Sequence, residues 1–290
     1  MKKSLILTFS LFLSLNAFAF DSIRMMTLNT WMIPFLRKDA SVRAKIIGQE
    51  INNYDLVVLQ EAFSAKLRKK IVSATDGNFE DSYVPDLPPQ INSGLFAFSK
   101  FKIINKNFMP FKNCGGVQCA SRKGVQHLRL KLPSGQLLDV FNTHLQAFEK
   151  DASIRALQLQ QASEFIAKIN QNDLPAIFAG DFNIISEIAE YSIISGVLLG
   201  FSDVWASVNP GDPGYTWDPF TNFYAKEDHD ESTLVQRIDY ILVRNGKETE
   251  WRINRAHLAL NSPMPYKKLI NETFASDHFA VTTELELHSK

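Results

Sequence analysis

Acids, amides and histidines recur along the chain in short motifs that each adjoin an apolar run. These residue types are suited to binding a hard metal ion and to transferring protons. In chain order the motifs are Leu28-Asn29-Thr30-Trp31, Leu59-Gln60-Glu61-Ala62, Phe141-Asn142-Thr143-His144-Leu145, Gly180-Asp181-Phe182-Asn183, Arg237-Ile238-Asp239-Tyr240-Ile241 and Ser276-Asp277-His278. Because α/β enzymes assemble their sites where strands end, the pattern indicates hydrolytic chemistry.

Two of these residues have the side chains that Mg²⁺ prefers. Glu61 follows the apolar run 56–60, so its carboxylate is expected at the rim of a sheet. One glutamate with nearby amide and aspartate oxygens is a common Mg²⁺ site, because this ion retains several waters and takes few carboxylates. Taken alone, Glu61 is better explained as an acid at the N-terminus of the next helix. Asn29, after the run 23–28, is equally explained alone as a turn or capping amide.

A carboxylate and an amide are spaced two residues apart at Asp181 and Asn183. In an extended chain this spacing directs both side chains to one side, while Phe182 points into the core. Such a pair suits one phosphate and its attacking water. The alternative is an Asx-type turn that ends the strand, and the two interpretations are equally supported by this motif alone.

Two histidines lie next to strands, His144 after the run 140–143 and His278 before the last strand. A histidine beside Asp277 and within reach of Asp239 can be oriented and raised in pKa, as proton transfer requires. Taken alone, His144 is more simply structural, and Ser276-Asp277 is equally consistent with a turn. The chain has no Gly-x-Ser-x-Gly, P-loop, dinucleotide-binding or His-Glu-x-x-His motif, which removes support for serine hydrolases, NTPases, Rossmann enzymes and zincins.

Strands alternating with helices must position these motifs. Strands are predicted over 23–28, 56–60, 94–98, 102–108, 126–132, 137–142, 176–179, 238–243 and 279–287, and helices over 40–52, 66–74, 152–170 and 187–198. Pro133-Ser134-Gly135 predicts a hairpin turn. The order favours mixed sheets covered by helices, although it does not fix the number of sheets. No linker or repeat interrupts residues 20–290, so one domain is expected there.

Taken in order, the six motifs resemble the endonuclease/exonuclease/phosphatase superfamily, whose fold is DNase I-like, over nearly all of residues 20–290. The resemblance implies a four-layer α/β/β/α sandwich and an Mg²⁺-dependent phosphoesterase, with Mn²⁺ or Co²⁺ as substitutes. It implies metal binding by Glu61, Asn29 and Asp277. It implies that His144 contacts phosphate, that Asp181 and Asn183 position water and phosphate, and that Asp239 orients a catalytic His278.

Segments between the motifs resemble the neutral sphingomyelinase branch of that superfamily. They are Ser93-Gly94-Leu95, Ala120-Ser121-Arg122-Lys123-Gly124-Val125 and Tyr215-Thr216-Trp217-Asp218-Pro219 with Asn222. The branch implies phospholipase C-type hydrolysis of sphingomyelin to ceramide and phosphocholine at a membrane surface. It also implies that Lys123 binds phosphate, although Arg122 interrupts the usual serine-lysine-glycine element. An ordinary solvated lysine is an equally good explanation of Lys123.

The N-terminus has the charged, apolar and small-residue order of a secretory signal peptide, with cleavage expected after Ala19. The protein is therefore expected to be secreted or periplasmic, in a host that the signal indicates is bacterial. Removing residues 1–19 leaves 29 basic and 31 acidic side chains, a formal charge of −2. This charge gives no steering toward nucleic acid. In an exported protein, Cys114 and Cys119 are expected to form a disulfide rather than remain free thiols.

Three other functions are less consistent with the sequence than sphingomyelin hydrolysis. A secreted DNase I-like endonuclease, with nucleic acid as substrate, is disfavoured by the charge. An inositol-phosphate phosphatase is disfavoured because Phe178-Ala179 precedes Gly180 where that branch has a tryptophan, and no arginine follows closely. A non-catalytic toxin or binding subunit is disfavoured because every expected polar position is present. No protein partner is implied.

Overall fold

The computed structural model describes residues 20–34, 38–85, 91–228, 234–265 and 273–290. The predicted signal peptide therefore lies outside the described residues. None of the helices in these ranges is both long enough and apolar enough to cross a bilayer.

Twelve strands in the described ranges form two six-stranded mixed sheets. They are β1 (Phe20–Asn29), β2 (Leu56–Gln60), β3 (Glu80–Tyr83), β4 (Phe96–Ser99), β5 (Lys102–Pro110), β6 (Gly124–Lys131), β7 (Leu137–His144), β8 (Ala176–Asp181), β9 (Phe201–Asp203), β10 (Asp239–Arg244), β11 (Thr249–Ala259) and β12 (Ala280–Ser289). The first sheet has the order β11-β12-β1-β2-β4-β3, and the second has the order β5-β6-β7-β8-β10-β9.

Helices cover the outer faces of both sheets. The α-helices in the described ranges are α1 (Ala40–Ile51), α2 (Ala65–Val72), α3 (Ala152–Ile169), α4 (Ser192–Val197), α5 (Val204–Val208) and α6 (Phe223–Asp228), with 3₁₀ turns at Gly116–Ala120, Glu149–Asp151 and Ala189–Tyr191. Apolar residues of α1 and α2 pack on the first sheet, and those of α3 and α4 pack on the second. A third apolar cluster lies between the sheets. These layers confirm the predicted α/β/β/α sandwich.

The strand directions bring the polar motifs to one edge of the sandwich. β1 and β2 are parallel neighbours in the first sheet, and β7 and β8 are parallel neighbours in the second. Their carboxyl ends carry Asn29, Glu61, His144 and Asp181. β10 and β12 run antiparallel to β8 and β1, so the residues at or before their first positions reach the same edge. The topology therefore brings together six motifs that are far apart in the sequence.

Two glycines permit the close approach of backbone at this edge. Gly94 has φ +72°, and a Cβ there would lie 3.0 Å from the Cα of Glu61. Gly180 has φ +143°, and a Cβ there would meet the Thr143 carbonyl oxygen of the neighbouring strand. A side chain at either position would push apart backbone segments that carry site residues.

Three strands and two short helices of the structure were not predicted, and one predicted helix begins later than expected. The two helices that were not predicted are α5 and α6. β3, β9 and β11 were not predicted, because β3 and β9 are short and a bulge between Ile253 and Arg255 interrupts the alternation of β11. The helix predicted over 187–198 is wrong at its start: a 3₁₀ turn precedes α4, which begins at Ser192. The Cys114–Cys119 disulfide is confirmed, with the two Cα atoms 5.3 Å apart.

Candidate active site

The carboxylate of Asp181 lies at the centre of the converging motifs. Its Oδ2 accepts a hydrogen bond from Asn29 Nδ2 at 2.9 Å. The same oxygen is 3.5 Å from His144 Nε2 and 3.9 Å from His278 Nε2. Asp181 thus links a residue of the first sheet to histidines that adjoin both sheets.

His278 is held by Asp239 on its other ring nitrogen. The distance from His278 Nδ1 to Asp239 Oδ2 is 2.8 Å, and both side chains are buried. Burial disfavours the charged ring, but the Asp239 and Asp277 carboxylates outweigh it and raise the pKa of His278 well above its usual value. The contact orients the ring, and Nε2 lies 3.9 Å from Asp181 Oδ2.

Glu61 belongs to an anionic group that includes Asp277. The backbone of Glu61 has φ +54°, an uncommon conformation for this residue type and one that recurs at functional sites. Burial and repulsion from Asp277 raise the pKa of Glu61 to about 8. His144 Nε2 lies 4.0 Å from Glu61 Oε1. Burial and the charge of Lys123 lower the pKa of His144 to about 3, which favours the neutral ring.

Lys123 is buried beside the site rather than solvated. Its Nζ donates to the Leu145 carbonyl oxygen at 2.6 Å, and Asn183 Nδ2 donates to the same oxygen at 3.2 Å. Burial lowers the pKa of Lys123 to about 8, although Asp181 and Glu61 oppose the shift. The structure therefore brings two of the three predicted phosphate-binding residues, Lys123 and Asn183, against the residue that follows the third, His144.

Two of the three predicted metal ligands, Glu61 and Asn29, offer oxygens that fit a hard divalent cation, and the residues predicted as catalytic add further ligand atoms. Among the described residues, Glu61 Oε2 and Asp239 Oδ1 are buried without a hydrogen-bond partner. Ligand atoms of Asp181, Asp239 and His278 also lie within 4.8 Å of one another. Asn29 Oδ1 accepts the Trp31 amide hydrogen at 3.0 Å, so it has one remaining lone pair for an ion. Grouped carboxylate oxygens of this kind are compensated by a cation such as Mg²⁺.

Support for the site includes residues that sequence reasoning did not select. Gln60 Nε2 donates to Asn142 Oδ1 at 2.8 Å and so joins the two sheets directly below Glu61 and His144. Thr216 Oγ1 accepts from the Asp239 amide at 3.3 Å. Gln60 and Asn142 lie inside the quoted motifs, and a buried amide beside each acid or histidine is the signal that could have identified them.

The fold and this site define the class of protein. The model for the Endonuclease/Exonuclease/phosphatase family matches residues 26–278, and the chain belongs to that family.

The chain is also similar to individual named proteins. It is 31% identical over 201 residues to a Schizosaccharomyces pombe protein named inositol phosphosphingolipids phospholipase C, covering 65% of this chain and 47% of the relative. It is 27% identical over 252 residues to Mus musculus sphingomyelin phosphodiesterase 2, covering 78% and 57%. A structure of Staphylococcus aureus beta toxin with bound magnesium ions has a TM-score of 0.72 at 22% identity, covering 93% and 100%. The chain spans about half the length of these two curated relatives.

Proposed function

We propose that this protein is an Mg²⁺-dependent phosphodiesterase that hydrolyses sphingomyelin to ceramide and phosphocholine. The observation that carries the proposal is the buried group of Asp181, His278 and Asp239 next to the anionic pair Glu61 and Asp277. The names of the relatives support sphingomyelin or a related sphingolipid as the substrate. The magnesium ions of the beta toxin structure support the choice of cation.

Each residue of the site has a role that follows from its contacts. Glu61, with Asn29 and Asp277, would hold the cation, which supplies Lewis-acid polarisation of the phosphoryl oxygens when bound. Lys123 and Asn183 both donate to the Leu145 carbonyl oxygen and, together with His144, would bind the phosphate. Asp239 fixes His278 through Nδ1, so that Nε2 is the atom at which a proton is moved to or from water oriented by Asp181.

We further propose that the protein is exported after cleavage following Ala19. The charged and apolar order of residues 1–19 and the Cys114–Cys119 disulfide support an oxidising compartment. Intact mass measurement of the protein recovered from the medium or periplasm tests this. We expect a chain that begins at Phe20, and a chain that keeps Met1 would contradict the proposal.

One assay separates the proposed substrate from its rivals. Purified residues 20–290 are incubated with Mg²⁺ and, in parallel, with sphingomyelin vesicles, duplex DNA and a soluble inositol phosphate. We expect release of phosphocholine that EDTA, E61A and H278A each abolish, because each removes the cation or the proton-transferring group. DNA cleavage without phosphocholine release would identify a nuclease, and no turnover of any substrate would favour a non-catalytic role.

A further inference from the structure

Arg43 is a fully buried arginine on α1, directly behind the loops that carry site residues. Its Nη1 donates to the Thr30 carbonyl oxygen at 2.8 Å and to the Ala275 carbonyl oxygen at 3.3 Å. Its Nη2 donates to the Trp31 carbonyl oxygen at 2.8 Å, and its Nε donates to the Lys38 carbonyl oxygen at 2.9 Å. One side chain therefore binds two segments that are about 245 residues apart in the sequence.

Each of these segments continues directly into the site. Trp31 donates its backbone N–H to Asn29 Oδ1, and Asn29 Nδ2 donates to Asp181. Ala275 precedes Ser276, whose Oγ donates to the Asn29 carbonyl oxygen at 2.6 Å, and then Asp277 and His278. A shift of either segment would move Asn29 relative to His278.

The environment of Arg43 restricts the guanidinium to this position. Its Cζ lies 5.1 Å from the ring centroid of Trp31 and 5.6 Å from that of Tyr224. Trp31 has φ +46°, a conformation that costs energy for an aromatic residue and persists only where its surroundings hold it. Burial lowers the pKa of Arg43, an effect that the Asp277 carboxylate opposes. A protein bears the cost of burying a cation where the fixed hydrogen bonds compensate it.

We propose that Arg43 is a positioning residue that aligns the loop after β1 with the loop before β12, and thereby sets the spacing of Asn29, Asp277 and His278. The importance of this alignment for catalysis rests on the proposed function. The alignment itself is a property of the folded chain and can be measured without substrate.

The sign of the effect on Mg²⁺ affinity separates positioning from charge. Removal of a positive charge close to Asp277 and Glu61 would, by Coulomb's law alone, strengthen the binding of a cation. Loss of alignment would weaken binding, because groups that orient metal ligands typically contribute about 10- to 100-fold in affinity or activity. The two explanations therefore predict opposite shifts.

The test compares R43Q and R43K with the wild type, with R129Q as the matched control. Arg129 also donates to a carbonyl oxygen, that of Ile169, and to Asp139, at a distance from the site. Mg²⁺ affinity is measured by calorimetry, and amide hydrogen exchange at Trp31 and His278 is measured relative to amides of β8. For R43Q we expect Mg²⁺ binding about tenfold weaker and a selective loss of protection at the two loops. R129Q should change neither quantity.

R43K keeps the charge but loses the planar fork, so its values should fall between those of R43Q and the wild type. It also serves as the test variant if R43Q does not fold. Mg²⁺ affinity in R43Q equal to or above that of the wild type, or unchanged loop protection in R43K, would overturn the proposal. Failure of the wild type to release phosphocholine would instead overturn the proposed function, and the exchange data would still decide the role of Arg43.

Discussion

At the scale of single residues, the most informative contact is the one between His278 and Asp239. The 2.8 Å hydrogen bond to Nδ1 selects one ring orientation and leaves Nε2 for chemistry. A carboxylate in this position both orients an imidazole and stabilises the imidazolium that forms during proton transfer. The carboxylate of Asp239 can be replaced by an amide of almost the same shape. This substitution tests the role of the His278–Asp239 contact directly.

D239N should lower kcat by at least about 100-fold with a much smaller effect on KM, because the ring loses its charged acceptor while phosphate contacts remain. Steady-state phosphocholine release measures both constants. D173N is a matched control, since Asp173 is exposed and makes no contact with the site motifs. A D239N enzyme with kcat within twofold of the wild type would remove Asp239 from the mechanism.

The sequence predicted where acids and histidines lie but not what each side chain contacts. Asn29 was predicted as a metal ligand, and the structure adds that its amide nitrogen binds Asp181. The buried ammonium group of Lys123 donates to the Leu145 carbonyl oxygen, which is 22 residues away in the sequence. A local sequence pattern does not reveal a contact between residues so far apart. Arg43 looks like an ordinary helix residue in sequence, because its partners belong to loops that only the fold brings together.

At the scale of elements, the two sheets have to be held in a fixed position relative to each other below the site. Gln60 on β2 donates to Asn142 on β7, and Asn142 Nδ2 donates to the Leu59 carbonyl oxygen at 3.1 Å. Strands β2 and β7 were predicted from their apolar runs, whereas their facing arrangement was not. Which strands face each other across a sandwich depends on long-range packing, and alternation along one strand reports only which side chains point inward.

Q60L should lower the free energy of unfolding by about 1–3 kcal/mol, because the oxygens of Asn142 and Thr27 lose a buried donor. Urea unfolding measures the change. Q160L, the same substitution at an exposed position on α3, should change stability by no more than about 0.5 kcal/mol. An equal effect of the two substitutions would show that the cross-sheet bond is not stabilising.

At the scale of the whole molecule, the stability of the fold should depend on pH through Asp139. Burial raises the pKa of Asp139, but hydrogen bonds from His127 and Arg129 outweigh it and hold the pKa below its usual value. A carboxyl group with a lowered folded-state pKa stabilises the protein above its unfolded pKa, and this contribution disappears as the pH falls through the folded pKa.

D139N should therefore be less stable than the wild type at pH 6, with a difference that shrinks as the pH falls below about 4. Urea unfolding of both proteins between pH 6 and pH 3 measures it. A difference that stays constant over this range would mean that Asp139 does not contribute through its charge.

Mg²⁺ binding is the second whole-molecule effect, because its proposed ligands adjoin three strands that are far apart in the sequence. Asn29 ends β1, Glu61 follows β2 and Asp277 precedes β12. An ion bound only by the folded state stabilises that state by mass action, by about 2.7 kcal/mol when its concentration is 100 times Kd. Without the ion, Glu61 is held in an environment that disfavours its charged form.

Added metal should consequently reverse the order of stability of E61Q and the wild type. In EDTA it should be no less stable than the wild type, because the amide removes a carboxylate that is crowded by Asp277. In excess Mg²⁺ the wild type should gain free energy of unfolding and E61Q should not. Urea unfolding in EDTA and in excess Mg²⁺ measures the free energy of unfolding of both proteins. An equal gain in the two proteins would place the ion elsewhere and remove Glu61 as its ligand.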